Sequence, residues 1–231
     1  MFSRNFYYRI RYLAKKKAPL RVFFHFIIDR IKHPFTKSQK KLYRKLHQNY
    51  LKNKQTTTDY FSIHTYYWHK IIIKNFKTFS YLEIGSWEGN SALFVLKNYT
   101  TNNVVCVDLW VNDNEINENL ENFKLNMKEF KNKFSFFREN SDSFFLKNNE
   151  KFDIIYIDGS HEPTQVNKDL NNAWYFLNIN GILICDDYFY GNIYSESNSV
   201  PADAINEFIK EKDGIKIICV NNSQIFLKKI K

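Results

Sequence analysis

From residue 79 onward two periods alternate along the chain, and this alternation limits the fold more than any other feature. Short apolar runs at 79–84, 104–107, 134–137, 152–157 and 182–185 are bounded by Gly, Asp, Asn or other polar residues, as strands are. Between them lie segments with helical spacing. These are 91–96, the set Ile116, Leu120, Phe123 and Met127, and the set Val166, Leu170, Ala173 and Leu177 behind Pro163, which suits a first helical turn. A turn is expected at 144–146, Asn180-Gly181 is expected to end the third helix, and Trp174 reads as core. Pro201 opens a last helix with Ile205, Phe208 and Ile209 inward, and strands at 215–220 and 224–227 meet around the Asn-Asn-Ser turn at 221–223. Strands joined through helices run parallel, whereas a terminal hairpin reverses direction. The expected fold is therefore α/β: a doubly wound, Rossmann-like sheet of seven strands, mainly parallel with an antiparallel last strand. With 231 residues, 44% apolar and 18% aromatic, the chain can fill one such core plus a small appendage, but not two catalytic domains.

The appendage is residues 1–57, a basic, aromatic, helical N-terminal extension, and residues 58–231 hold the α/β domain. Residues 1–80 carry 19 Lys and Arg against Asp29 and Asp59 alone, whereas residues 81–231 carry 15 against 22 acids. In residues 1–54 the bases are interleaved with Phe and Tyr. That composition suits a surface that meets phosphate, on anionic lipid or nucleic acid, although a solvated tail shares it. Residues 38–51 fit a basic amphipathic helix with Leu42, Leu46 and Leu51, and 53–58 reads as a polar linker. Asp59 can cap a helix to about residue 76 with Tyr60, Ile63, Tyr67, Ile71 and Ile72 on one face. No apolar run approaches the ~20 residues that cross a bilayer, and the N-terminus lacks the apolar stretch and cleavage site of a secretory signal. Cys106, Cys185 and Cys219 sit in strand-like runs without metal-ligand spacing, as buried thiols of a reducing compartment do. The expected location is the cytoplasm, with peripheral contact to anionic membrane through residues 1–54 and nucleic acid a weaker candidate partner.

Ligands of doubly wound sheets sit beyond the carboxyl ends of the strands. There the first strand runs into Glu83-Ile84-Gly85-Ser86-Trp87-Glu88-Gly89, a turn whose glycines let a ligand approach the backbone where a helix begins. Trp87 stands where a dinucleotide motif has its second Gly, so a pyrophosphate fits poorly. Asp108 ends the second strand, where a carboxylate can accept hydrogen bonds from both hydroxyls of a ribose. Together these point to a nucleoside. Asp158 ends the fourth strand and Asp186 and Asp187 the fifth. On strands ~4.8 Å apart such carboxylates converge and repel, unless one protonates or a hard cation such as Mg²⁺ sits among them. The plainer role for each acid is to cap the turn that follows it. His161, three residues after Asp158, can hang over the same edge as a general base. His25, His33, His47, His64 and His69 have no such partner in the sequence.

Taken in order, the 82–89 turn, Asp108, Ile157-Asp158-Gly159-Ser160-His161 and Asp186-Asp187-Tyr188 resemble the class I S-adenosylmethionine-dependent methyltransferases. More narrowly, they resemble the branch that includes metal-dependent macrolide-sugar O-methyltransferases. Thr58-Asp59-Tyr60-Phe61-Ser62 is similar to the aromatic segment that precedes the first motif of that branch. The resemblance covers about residues 58–229. It implies S-adenosylmethionine on Glu83, Gly85, Ser86, Gly89, Asp108, Leu109, Ser141 and Asp158, Mg²⁺ on Asp158, Asp186 and Asp187, and a base at His161. Leu109 and Trp110 are placed to contact the adenine, although Trp110 equally suits plain packing. The implied reaction is methylation of a sugar hydroxyl, in a glycan, a polysaccharide intermediate or a glycosylated metabolite. Mg²⁺ would bind the hydroxyl, His161 would take its proton, and the alkoxide would attack the methyl in line. The 188–200 loop, with Tyr188, Phe189, Tyr190 and Tyr194, is placed to cover the acceptor.

Three other readings use the same residues. A catechol-like small molecule would suit the carboxylates. RNA or DNA methylation would draw on the basic arm, but base amino-group methylation usually employs an Asn/Asp-Pro-Pro-aromatic run where this chain has Asp158-Gly159-Ser160-His161. A binding module that keeps the fold without turnover would work through the arm, and the intact Asp158, His161, Asp186 and Asp187 speak against it.

Overall fold

A computed structural model describes residues 4–111, 118–191, 200–221 and 223–231. Ile116, Tyr194 and Asn222, and with them parts of the expected 188–200 loop and 221–223 turn, lie outside the described residues. The strands β1 (Phe79–Ile84), β2 (Thr101–Asp108), β3 (Ser135–Arg138), β4 (Phe152–Ile157), β5 (Leu177–Cys185), β6 (Ile215–Val220) and β7 (Ile225–Lys229) form one sheet in the order β3-β2-β1-β4-β5-β7-β6. Strands β1 to β5 pair parallel, and β7 lies antiparallel between β5 and β6, as expected.

The central strands are apolar in both directions because helices cover both faces of the sheet. On one face α3 (Thr65–Asn75), α4 (Asn90–Asn98) and α5 (Glu118–Met127) pack over Tyr81, Cys106, Tyr156 and Ile184. On the other, α6 (Ser141–Lys147), α7 (Pro163–Phe176) and α8 (Pro201–Glu211) pack over Leu82, Val105, Ile155 and Leu183. The expected inward residues Ile205, Phe208, Ile209 and Trp174 are all buried there. Cys106 and Cys185 are buried and Cys219 partly so, all as free thiols.

Two helices precede α3, namely α1 (Arg4–Lys15) and α2 (Leu20–Leu51). The basic segment is not a loose tail, since Tyr12, Leu13, Val22 and Phe26 join the core under α8. Burying Leu13, Val22 and Phe26 is worth roughly 1.5–3 kcal/mol each as an upper estimate, enough to hold the segment down. No helix among the described residues is long and apolar enough to cross a membrane.

Several local expectations fail for identifiable reasons. The helix expected at 38–51 is the end of the 32-residue α2, which runs through Pro34. Leu42 and Leu46 face outward, and His47 and Leu51 are the buried residues of that stretch. The turn at 144–146 is helix α6, started by Asn140, whose side chain accepts the Ser143 N–H at 2.7 Å. Helix α7 ends at Phe176, not at Asn180-Gly181, because Leu177 already pairs with Phe152 in the sheet. Asp59 does cap, accepting the Ser62 N–H at 2.8 Å, but it caps a short 3-10 turn (Ser62–His64) ahead of α3, and Tyr60 stays exposed.

Candidate functional site

The carboxyl ends of β1, β2, β4 and β5 open into one cavity of about 930 Å³. Of the residues singled out from the sequence, Gly85, Ser86, Asp108, Leu109, Ser141, Asp158, His161, Asp186 and Asp187 line it, whereas Glu83 and Gly89 stand behind its wall.

Backbone geometry shapes the floor. Gly85 has φ +89°, and a Cβ there would lie 2.1 Å from the Asp158 carbonyl oxygen, so only glycine lets β1 and β4 leave the sheet this close together. The turns after β1 and β2 are both strained, with Trp87 at φ 43° in the first and Trp110 at φ 45° in the second. Asp108 holds both: its two carboxylate oxygens accept the N–H groups of Trp87 and Trp110, each at 2.8 Å. The Trp110 indole N–H donates to the Trp87 carbonyl at 2.7 Å and its ring packs on Phe123, while the residue also lines the cavity. Glu88 accepts the Thr57 N–H at 2.8 Å, which draws the 55–60 segment across the cavity and stacks Tyr60 on Trp87, centroids 5.5 Å apart. Spacing sets Tyr60 on the face of Ile63 and Tyr67, and its place in the wall instead depends on this long-range tether.

Behind the floor, Glu83 is fully buried, and loss of hydration pushes its carboxyl up to about 7 despite nearby Ser91, Tyr81 and Ser86 hydroxyls. Tyr81 Oη donates to its Oε2 at 2.5 Å, while neither Glu83 Oε1 nor Ser86 Oγ completes a hydrogen bond of ordinary geometry. A close backbone approach at Gly85 and a fixed acid at the end of β2 fit a nucleoside cofactor such as S-adenosylmethionine. On the α6 side, Ser141 accepts from Gln165 Nε2 at 3.2 Å, and Gln165 also reaches Asp142 and Asp169.

The expected carboxylate trio does not assemble as metal ligands. No group of three or more His, Cys, Asp or Glu side chains among the described residues is placed to hold a metal ion. Tyr156 Oη lies 2.5 Å from Asp186 and 2.7 Å from Asp158. Asp186 also accepts from Gln224 Nε2 at 2.7 Å, Ser223 Oγ at 2.8 Å and the Asp187 N–H at 2.7 Å. Burial opposes its charge, but His64 and these donors outweigh it and hold the carboxyl below the usual range. Asp158 opens onto the cavity, yet the enclosing protein, then the charges of Asp186 and Asp187, push its carboxyl well up. A hydroxyl carries one proton, so Tyr156 cannot satisfy both carboxylates at once. As placed, the set does not fit Mg²⁺.

Asp187 instead pairs with His161. Its backbone is left-handed, φ 54°, which turns the side chain towards His161 Nε2 at 2.7 Å. This hydrogen bond raises the His161 pKa above 6.5 against partial burial, with the charges of Asp187 and Asp186 adding to it. The Tyr190 ring lies 4.0 Å from the imidazole, nearly parallel to it. Tyr188 and Phe189 do not cover the cavity: Tyr188 is buried with its hydroxyl on Asn206, and Phe189 packs on Tyr12 and Phe26. His64, unpartnered in the sequence, reaches Asp186 through Ser223 Oγ, 3.2 Å from its Nε2.

Residues 82–188 match the family model described as a methyltransferase domain. No protein of curated function matches the chain by sequence. Among solved structures, the O-methyltransferase from Bacillus cereus in complex with SAH aligns with a TM-score of 0.60 at 12% identity, over 91% of this chain and 100% of that one. An rRNA methylase from Streptococcus thermophilus aligns at 0.55 and 11%, over 77% and 100%. At these identities the likeness is one of fold. The glycine turn at Gly85 and the acids Asp108, Asp158, Asp186 and Asp187 all lie within the 82–188 segment that is similar to the methyltransferase domain model.

Proposed function

We propose that the protein is an O-methyltransferase acting on a hydroxyl of a sugar, in a glycan, a polysaccharide intermediate or a glycosylated metabolite. The observation that carries this reading is the His161–Asp187 pair on the wall of the cavity bounded by Gly85 and Asp108. When bound, S-adenosylmethionine supplies an electrophilic methyl group, and Gly85, Ser86, Asp108, Leu109 and Ser141 are the lining residues that would hold it. His161 takes the acceptor's proton. With Nε2–H directed to Asp187, the lone pair remains on Nδ1, and Asp187 stabilises the imidazolium that forms. Tyr190 keeps the ring in plane, and the Tyr60–Trp87 stack offers aromatic faces to a sugar or phenolic ring. No step of this reading passes through a divalent cation.

The test is calorimetric titration with S-adenosylhomocysteine, then transfer of labelled methyl to nucleotide sugars and glycans, with catechols and RNA in parallel and each with EDTA or Mg²⁺. Binding on the order of micromolar and label on a sugar hydroxyl support the reading. Folded protein that binds no S-adenosylhomocysteine, or label on catechol or RNA alone, overturns it. A strict Mg²⁺ requirement would show that Asp186 exchanges its Tyr156 and Gln224 partners for metal.

A further inference from the structure

Helix α2 presents an apolar stripe that no described part of the chain covers. Leu20, Phe24, Ile27, Ile31, Phe35 and Leu42 recur at steps of three, four or seven residues, which places them on one side of a helix, and Leu46 continues the line. Leu20 and Phe35 are 86% and 84% exposed. The orientation is fixed, because the opposite side buries Val22, Phe26, Asp29, His47 and Leu51 against the domain.

Charge identifies the partner. Lys32, Lys41 and Lys45 are exposed beside the stripe and Lys37 and Arg44 further round the helix, and none of them forms an ion pair among the described residues. The one acid of α2, Asp29, is turned inward to Arg30, Lys40 and Tyr67. An apolar line bordered by cations complements a surface that is apolar below and negative above. A second copy of the chain would set cation against cation, and a nucleic acid would leave Phe24, Ile31 and Phe35 facing phosphate or water.

We infer that α2 lies along an anionic lipid bilayer, with its stripe at the headgroup–acyl boundary and its lysines on the headgroups. At 1.5 Å per residue, the 32 residues span about 48 Å in the plane of the surface. The inner faces of α1 and α2 hold the 188–190 segment, since Tyr12 Oη of α1 donates to the Tyr190 carbonyl at 2.8 Å and Phe189 packs on Phe26 of α2. A seated α2 therefore sets the orientation of the His161 side of the cavity relative to the lipid.

The experiment is flotation of the full chain with vesicles of phosphatidylcholine alone or in equal parts with phosphatidylglycerol, at low and high salt. The expected result is flotation with the anionic vesicles that weakens as salt rises. Combined Phe24→Ser, Ile31→Ser and Phe35→Ser should lower partitioning at least about tenfold, and combined Lys37→Glu, Lys41→Glu and Lys45→Glu should abolish the preference for anionic lipid. These side chains are exposed, so circular dichroism and thermal unfolding should match wild type. Wild-type protein that does not float, or that floats equally with both vesicles, overturns the inference. So does a stripe variant that floats like wild type while light scattering shows a lost dimer, which would make a second copy the occupant.

Discussion

Replacing Asp187 with Asn probes the proton-accepting pair while leaving side-chain volume almost unchanged. The 2.7 Å contact to His161 Nε2 is the main reason that imidazole sits above its ordinary pKa, with partial burial acting against it. His161 is close to half exposed, so solvent screens the attraction, and ~1 kcal/mol is a fair value for the charge lost. The His161 pKa should therefore fall. The base must be neutral to accept a proton, so kcat/KM rises with pH through this pKa. The wild-type rising limb should lie above 6.5 and that of the variant below the wild-type limb. The plateau should drop about 10- to 100-fold, ~1.4–2.7 kcal/mol, because an amide neither stabilises the imidazolium nor fixes which ring nitrogen carries hydrogen. Initial rates at saturating cofactor between about pH 5 and 9 separate the two effects. A limb that stays in place with a plateau within about twofold of wild type would refute the assignment of Asp187 as the partner of a catalytic base.

Gly85→Ala forces a methyl group to within 2.1 Å of the Asp158 carbonyl at a φ of +89°, so the melting temperature should fall by several degrees and S-adenosylhomocysteine should bind at least about tenfold more weakly; unchanged calorimetry would mean that the close approach is dispensable. Glu83 is raised from 4.5 to about 7, so its carboxyl costs stability progressively as pH climbs from 4.5 towards 7. Glu83→Gln should then be more stable than wild type at pH 8 by up to about 3 kcal/mol and equal to it below pH 4.5, and urea unfolding showing the opposite trend would disprove the buried-acid account. Tyr60→Ala, at an exposed position, should raise the KM for a sugar acceptor about three- to tenfold with kcat nearly unchanged; an altered kcat with unaltered KM would remove it from acceptor binding.

The parts of this molecule that are legible in its sequence are those fixed by neighbours in the chain. Strands β1 and β4 begin and end where their apolar runs do, and Gly85, Asp108, Asp158 and Asp186 reach one cavity because parallel strands deliver their carboxyl ends to the same edge. What stays hidden depends on contacts between distant residues or on unusual dihedrals. Asp187 reads as a third metal acid until its left-handed backbone turns it to His161, 26 positions away. Tyr60 fits the face of Ile63 and Tyr67 by spacing, and only the Glu88–Thr57 tether puts it in the cavity wall. Pro34 hides the first half of α2, since a proline inside a helix reads as a boundary. Apolar periodicity puts Leu42 and Leu46 on one side of a helix but does not tell what that side meets, and both face outward.

The strained turn after β1 has an optical consequence. Of the four tryptophans, Trp68, Trp110 and Trp174 are 0%, 3% and 8% exposed, while Trp87 is 36% exposed and borders the cavity. Trp68 and Trp174, away from the cavity lining, should therefore emit in the blue whatever occupies it, Trp110 lines it while buried, and the red edge of the fluorescence spectrum belongs to Trp87. Loss of that red component would register arrival of a ligand at the Gly85 turn directly, in unlabelled protein, before any acceptor is known.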